Sequence, residues 1–154
     1  RDQYVNIDFY FDKSIKKDYF YNEKSLLKSF NYISKIHNNF YSTSNNTNCG
    51  SNELNIYILP KYKMNNSNLM GDWVSGNESS NSKDVNLVGL FKYRQNESNI
   101  YLQKVSRNKG INFAHELSHF WYRRKCNNVF DYKLNEKVAL EFEKYIIKYS
   151  LLEE

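Results

Sequence analysis

Apolar and polar residues change their period several times along the chain, and each change marks an element. Residues 4–11 (YVNIDFYF) alternate β-branched and aromatic side chains with polar ones, the period of a half-buried strand. In residues 23–41, Leu26, Leu27, Phe30, Ile33, Ile36, His37 and Phe40 recur at helical spacing, which predicts an amphipathic helix. Residues 42–52 (STSNNTNCGSN) are polar and turn-rich and read as a loop. Residues 54–59 (LNIYIL) form a second strand that Pro60 stops. Residues 64–84 contain Gly71, Gly76 and many Asn and Ser, and read as an irregular loop holding Trp73, with a short strand at 72–74. Residues 85–93 and 99–105 are two β runs around Arg94-Gln95-Asn96-Glu97-Ser98, a predicted hairpin. A linker at 104–110 leads to a helix at 111–124. A loop at 123–133 leads to a last helix at about 134–151.

The element order predicts an α+β domain. It has a small mixed sheet with an edge hairpin, packed on the N-terminal helix and the two C-terminal helices. No internal repeat and no second domain is visible, so residues 1–154 read as a single domain.

The helix at 111–124 (INFAHELSHFWYRR) carries the candidate chemistry. Phe113, Ala114, Leu117, Phe120 and Trp121 make one apolar stripe, centred opposite His115 and His119. Residues four apart lie about 40° apart on a helix face, so both imidazoles of this HExxH pattern can point at one atom. Zinc accepts two such nitrogens at about 2.0–2.1 Å. Glu116, about 100° round the helix, is placed to act as a general base without being a ligand. Only three His occur in the chain. The third, His37, falls on the apolar stripe of the first helix and reads as a structural histidine rather than a ligand.

HExxH leaves the third ligand open. A metzincin-type pattern needs Gly at 122 and His at 125, and Tyr122 and Lys125 exclude it. The other route is a carboxylate on a second helix. Seventeen residues after His119 stands Glu136, in Asn135-Glu136-Lys137-Val138-Ala139-Leu140-Glu141-Phe142-Glu143. This segment resembles the NExxA segment of the gluzincins, the zinc peptidases of the MA clan with thermolysin-like and aminopeptidase-like branches. The resemblance implies Zn2+ held by His115, His119 and Glu136, with Glu116 as catalytic base. Glu143 matches a glutamate common in the aminopeptidase-type segment. Periodicity puts Glu136, Ala139, Leu140, Glu143 and Ile147 on one helix face, and Val138, Phe142, Tyr145, Ile146 and Tyr149 on the other. Ala139 is small enough to let this helix approach the first closely. Asn135, near the start, suits an N-terminal helix position.

In the resembled family, the strand before the zinc helix lines the cleft, and an extended peptide adds to its edge. Gly89-Leu90-Phe91-Lys92-Tyr93 occupies that place here. Two departures from the family pattern change the expectation. Where thermolysin-like members place an Asp to orient the first His, this chain has Leu140, and Glu143 is expected to accept from a ligand imidazole instead. The acid by which the aminopeptidase branch holds a substrate ammonium is missing from residues 89–93, which favours endopeptidase action. Tyr122, Tyr145 and Tyr149 are the candidate oxyanion donors. The alternative is a non-catalytic gluzincin-like scaffold that binds its partner.

Composition changes this picture little. Hydrophobics at 40% and aromatics at 17%, led by 14 Tyr and 10 Phe, suffice for a core. No apolar run approaches the length of a membrane span. The net charge of +5, with pI near 9.0, comes from scattered Lys. It reads as solvated surface, so no nucleic acid is expected; the resemblance implies a peptide or protein substrate. Cys49 and Cys126 form no CxxC, and whether they pair is open; a secreted or extracytoplasmic setting, the expected one, favours pairing. The chain opens at Arg1-Asp2-Gln3-Tyr4 without Met and shows no signal peptide, as expected of a mature form or a piece of a longer protein.

Overall fold

Strands β1 (Asn6–Phe11) and β2 (Glu53–Leu59) pair in parallel, so the chain between them must cross back along the sheet. Helix α1 (Glu23–Phe40) makes that crossing. Its first turn is fixed by Asn22, whose side chain accepts from the Ser25 N–H at 2.9 Å. The computed structural model describes residues 5–41, 49–64, 88–94, 97–105, 107–127 and 131–152. After β2 comes a short helix α2 (Lys61–Met64), then β3 (Gly89–Arg94) and β4 (Glu97–Gln103). Helices α3 (Lys109–Arg124) and α4 (Tyr132–Lys148) complete the order.

The result is an α+β fold with a four-stranded mixed sheet in the order β1-β2-β4-β3. β2 and β4 are parallel and β3 is antiparallel to β4; among the described strands, β1 and β3 are the two edges. Strand alternation sends Ile7, Phe9 and Phe11, Leu54, Ile56 and Ile58, Ile100 and Leu102, and Phe91 to one face. There they share a core with Leu26, Phe30 and Ile33 of α1, Phe113, Leu117, Phe120 and Trp121 of α3, and Phe142 and Ile146 of α4. Each of these side chains, taken from water, contributes about 1.5–3 kcal/mol. The opposite face carries a ladder of Tyr10, Tyr57 and Tyr101, stacked at 4.8 and 4.7 Å.

Most expected elements are present with shifted ends. α2 was not expected. Pro60 stops β2, but its carbonyl then accepts from Lys63 and Met64 and starts a helical turn. β4 begins two residues before the predicted 99, and α3 two before the predicted 111. α4 starts at Tyr132 because Asp131 accepts from the Leu134 N–H at 3.2 Å and takes the N-cap. On α4 the buried residues are Asn135, Val138, Ala139, Phe142 and Ile146. Leu140 and Ile147, placed by periodicity on the face of Glu136, are exposed. The loop around Trp73, the strand at 72–74 and the first residues of the run at 85–93 lie outside the described residues. Cys49 and Cys126 are joined, their Cα atoms 5.0 Å apart, tying the segment before β2 to the exit of α3. Among the described residues, no helix is long and apolar enough to cross a membrane.

Candidate metal centre

α3 is pressed between the sheet edge, α1 and α4, so even its polar face is enclosed. His119 is buried, Glu116 is 7% exposed and His115 is partly covered. α4 lies against this face and brings up the carboxylate of Glu136. One oxygen of that carboxylate, Oε1, stands 3.2 Å from His115 Nε2 and 3.2 Å from His119 Nε2. The three ligand atoms all lie within 4.8 Å of one another. Two donors about 2.0–2.1 Å from a tetrahedral ion stand about 3.3 Å apart. The two observed separations match that spacing, and an N, N, O donor set of two His and one Glu suits zinc. The residues present therefore fit the ion that the motif implies.

The remaining ring nitrogens have partners of their own. His115 Nδ1 meets Glu143 Oε2, and His119 Nδ1 lies 2.8 Å from Asn135 Oδ1. Each partner fixes the orientation of its ring, so that both Nε2 atoms face the same Glu136 oxygen. Glu143 thus stands beside the His115 ring. Asn135 lies in the first turn of α4, the N-terminal position expected of it, while Asp131 takes the N-cap. What the sequence did not show is that Asn135 is buried there against the ring of His119.

The electrostatics reinforce the cluster. Burial works against a charge on His115, but its hydrogen bonds with Glu136 and Glu143 outweigh burial and push its pKa up to about 11. Burial likewise works against charge on Glu136, and the two imidazoles overcome it, holding the carboxyl at about 2. The groups that favour a proton here also favour a divalent cation, whose binding would release the proton. Burial raises the pKa of Glu116, while the neighbouring His115 and His119 pull it down less strongly.

Of the five edge-strand residues, three face α3. A Cβ built on Gly89 would lie 2.7 Å from Glu116 Oε2, so only glycine leaves the carboxylate where it stands. The Phe91 ring stacks on His119 with centroids 6.0 Å apart. Tyr93 lies under the Arg123 guanidinium, 4.5 Å from its Cζ. Leu90 and Lys92 alternate to the other sheet face and are buried there. Among the described contacts, Tyr122 stacks on Tyr41, Tyr145 packs tilted against Phe40, and Tyr149 meets Tyr145 edge to face; no ring contact of these three is with His115 or His119. His37 is not a ligand. It is buried behind α3, with Nε2 3.1 Å from the hydroxyl of Ser118, between the two ligand histidines in sequence.

No protein family, curated protein or solved structure matches this chain in comparisons with known proteins.

Proposed function

We propose that this chain is a zinc-dependent peptidase of the gluzincin type, acting within extended peptides. The observation that carries the reading is one carboxylate oxygen of Glu136 equidistant from two Nε2 atoms whose Nδ1 partners are already engaged. Both rings are oriented from behind, so their Nε2 atoms converge on one side of the cluster. His115, His119 and Glu136 hold Zn2+, which when bound acidifies water and polarises a carbonyl. Glu116 takes a proton from the attacking water at its carboxylate. As the peptide C–N bond breaks, it passes that proton to the leaving amine nitrogen. Burial, which lifts its pKa above the usual carboxylate range, makes it a stronger base for this transfer. The open edge of β3 supplies backbone groups that align the substrate beside these side chains.

The test is Glu116→Gln. This change keeps size and hydrogen bonding and removes the base. Zinc content should stay at about one per chain, the stoichiometry of a three-ligand site. Turnover of a peptide library should fall by at least about 10²–10⁴-fold. Full activity in Glu116→Gln rejects the proton-transfer role. A wild type that retains zinc and cleaves no peptide is instead a binding scaffold.

A further inference from the structure

Arg123 shares a face of α3 with Glu116 and His119, seven and four residues farther on. That places it about 10 Å and about 6 Å along the helix axis from them. Its guanidinium is not a free surface charge. Its Cζ lies 4.5 Å over the Tyr93 ring, its Nη2 donates to the Tyr93 hydroxyl at 3.1 Å, and it is backed by Gly50, where an added Cβ would come within 3.4 Å of Cζ. The adjacent cations have other tasks. Arg124 donates to the Ser51 carbonyl and to Asn52 Oδ1, and Lys125 donates to the Tyr41 carbonyl. Among the described residues, no carboxylate forms an ion pair with Arg123. A half-buried, oriented guanidinium with one of its five donors spent on Tyr93 stands in line with the site.

The edge strand gives that position a register. Gln103 N–H donates to the Val88 carbonyl, so Val88 and Gln103 are a hydrogen-bonded pair and Gly89↔Leu102 is the next, non-bonded one. By alternation, Gly89, Phe91 and Tyr93 turn their backbone N–H and C=O groups away from β4, toward the side where no described strand pairs with β3. These residues also lay their side-chain positions on Glu116, His119 and Arg123. A peptide paired with this edge advances about 6.6–6.8 Å for every two residues, in step with β3.

We infer that Arg123 is the specificity element of this cleft, receiving an acidic side chain of the bound peptide two positions from the residue beside Phe91. The inference rests on the peptidase reading and names its substrate class. The cation–π contact and the hydrogen bond to the Tyr93 hydroxyl hold the guanidinium in place without neutralising it, so an arriving carboxylate meets a group already ordered. The contact is partly exposed, and the preference it confers is moderate and sensitive to salt.

The test uses the full chain as Glu116→Gln, loaded with zinc, and nonapeptides of alanine blocked at both ends. A single Glu, Gln or Lys is walked through the peptide, and binding is followed by calorimetry at low and high ionic strength. At one position Glu should bind about fivefold tighter than Gln, less so at high salt. Arg123→Gln should erase the difference and Arg123→Glu should turn it toward Lys; thermal unfolding confirms that each variant is folded. Equal binding of Glu and Gln peptides to the unaltered Arg123 protein overturns the inference without needing any variant, as does a Glu preference that survives Arg123→Gln. If wild type still cleaves peptides in that case, the peptidase reading stands alone. If no peptide binds, both fall together.

Discussion

Replacing Cys49 and Cys126 by Ser should lower stability by an amount set mainly by the unfolded chain. The bond closes a loop of 77 residues. Releasing a loop of that length returns about 15 cal/mol/K of chain entropy, or about 4.5 kcal/mol at 25 °C. The native shape around the bond has independent support. The Cys49 N–H donates to the Arg124 carbonyl at 3.1 Å, and the Arg124 guanidinium reaches back to the Ser51 carbonyl at 2.9 Å. The folded state should therefore keep its geometry in the double Ser variant. For a chain of 154 residues, about 4.5 kcal/mol corresponds to a fall in Tm of about 9–18 °C. Circular dichroism melts of wild type and variant measure this, with mass spectrometry confirming the bond in wild type. Zinc content should remain equimolar, because the bond lies beyond the C-terminal end of α3, away from the ligands. A fall below about 3 °C, or a loss of zinc in step with the fall, would refute the reasoning.

The other predictions concern single side chains. Gly89→Ala should displace the Glu116 carboxylate, cost about 1–3 kcal/mol of stability and lower turnover about 10²-fold with zinc retained; wild-type turnover would show that the carboxylate works from elsewhere. Asn135→Ala should weaken zinc about 10–100-fold in a chelator competition, and an unchanged affinity would end its assigned role. Burial holds His37 at a pKa of about 3, with the charge of Lys125 adding to the effect. Because the folded value is below the unfolded 6.5, the stability from His37 is complete above pH 6.5. It falls by about 1.4 kcal/mol per pH unit from there toward pH 3. Urea unfolding at pH 6.5 and 4.5 should show that slope flattened in His37→Phe; an identical slope would mean that His37 does not titrate on unfolding.

The features legible in the sequence were those whose information is local. α1 and α3 show three or more turns of periodic apolar residues, and the HExxH spacing puts two imidazoles side by side on any helix. Glu136 was reachable only through a second short pattern, because nothing in the spacing of residues 119 and 136 states that two helices meet. Asn135 was legible as a residue of the first turn of α4, but its partner was not, because that partner is a histidine on another helix. α4 also offers apolar residues on more than one side. Only the placement of α1 and α3 decides that Phe142 and Ile146 are covered while Leu140 and Ile147 face solvent. The pairing of Arg123 with Tyr93 depends on β3 lying along α3, which no local pattern encodes.

One helix, α4, carries the carboxylate of the candidate cluster and both imidazole partners: Glu136, Asn135 and Glu143 all project from it, spanning little more than two turns. Under the proposed function, coordination and helix docking would therefore be one thermodynamic event rather than two. An ion that binds only when α4 is docked stabilises that docking by an amount that grows with its concentration, about 4.1 kcal/mol at a thousand times its dissociation constant. α4 would then open as a unit governed by metal supply, and its backbone amides would exchange with solvent at a rate that reads the free ion concentration.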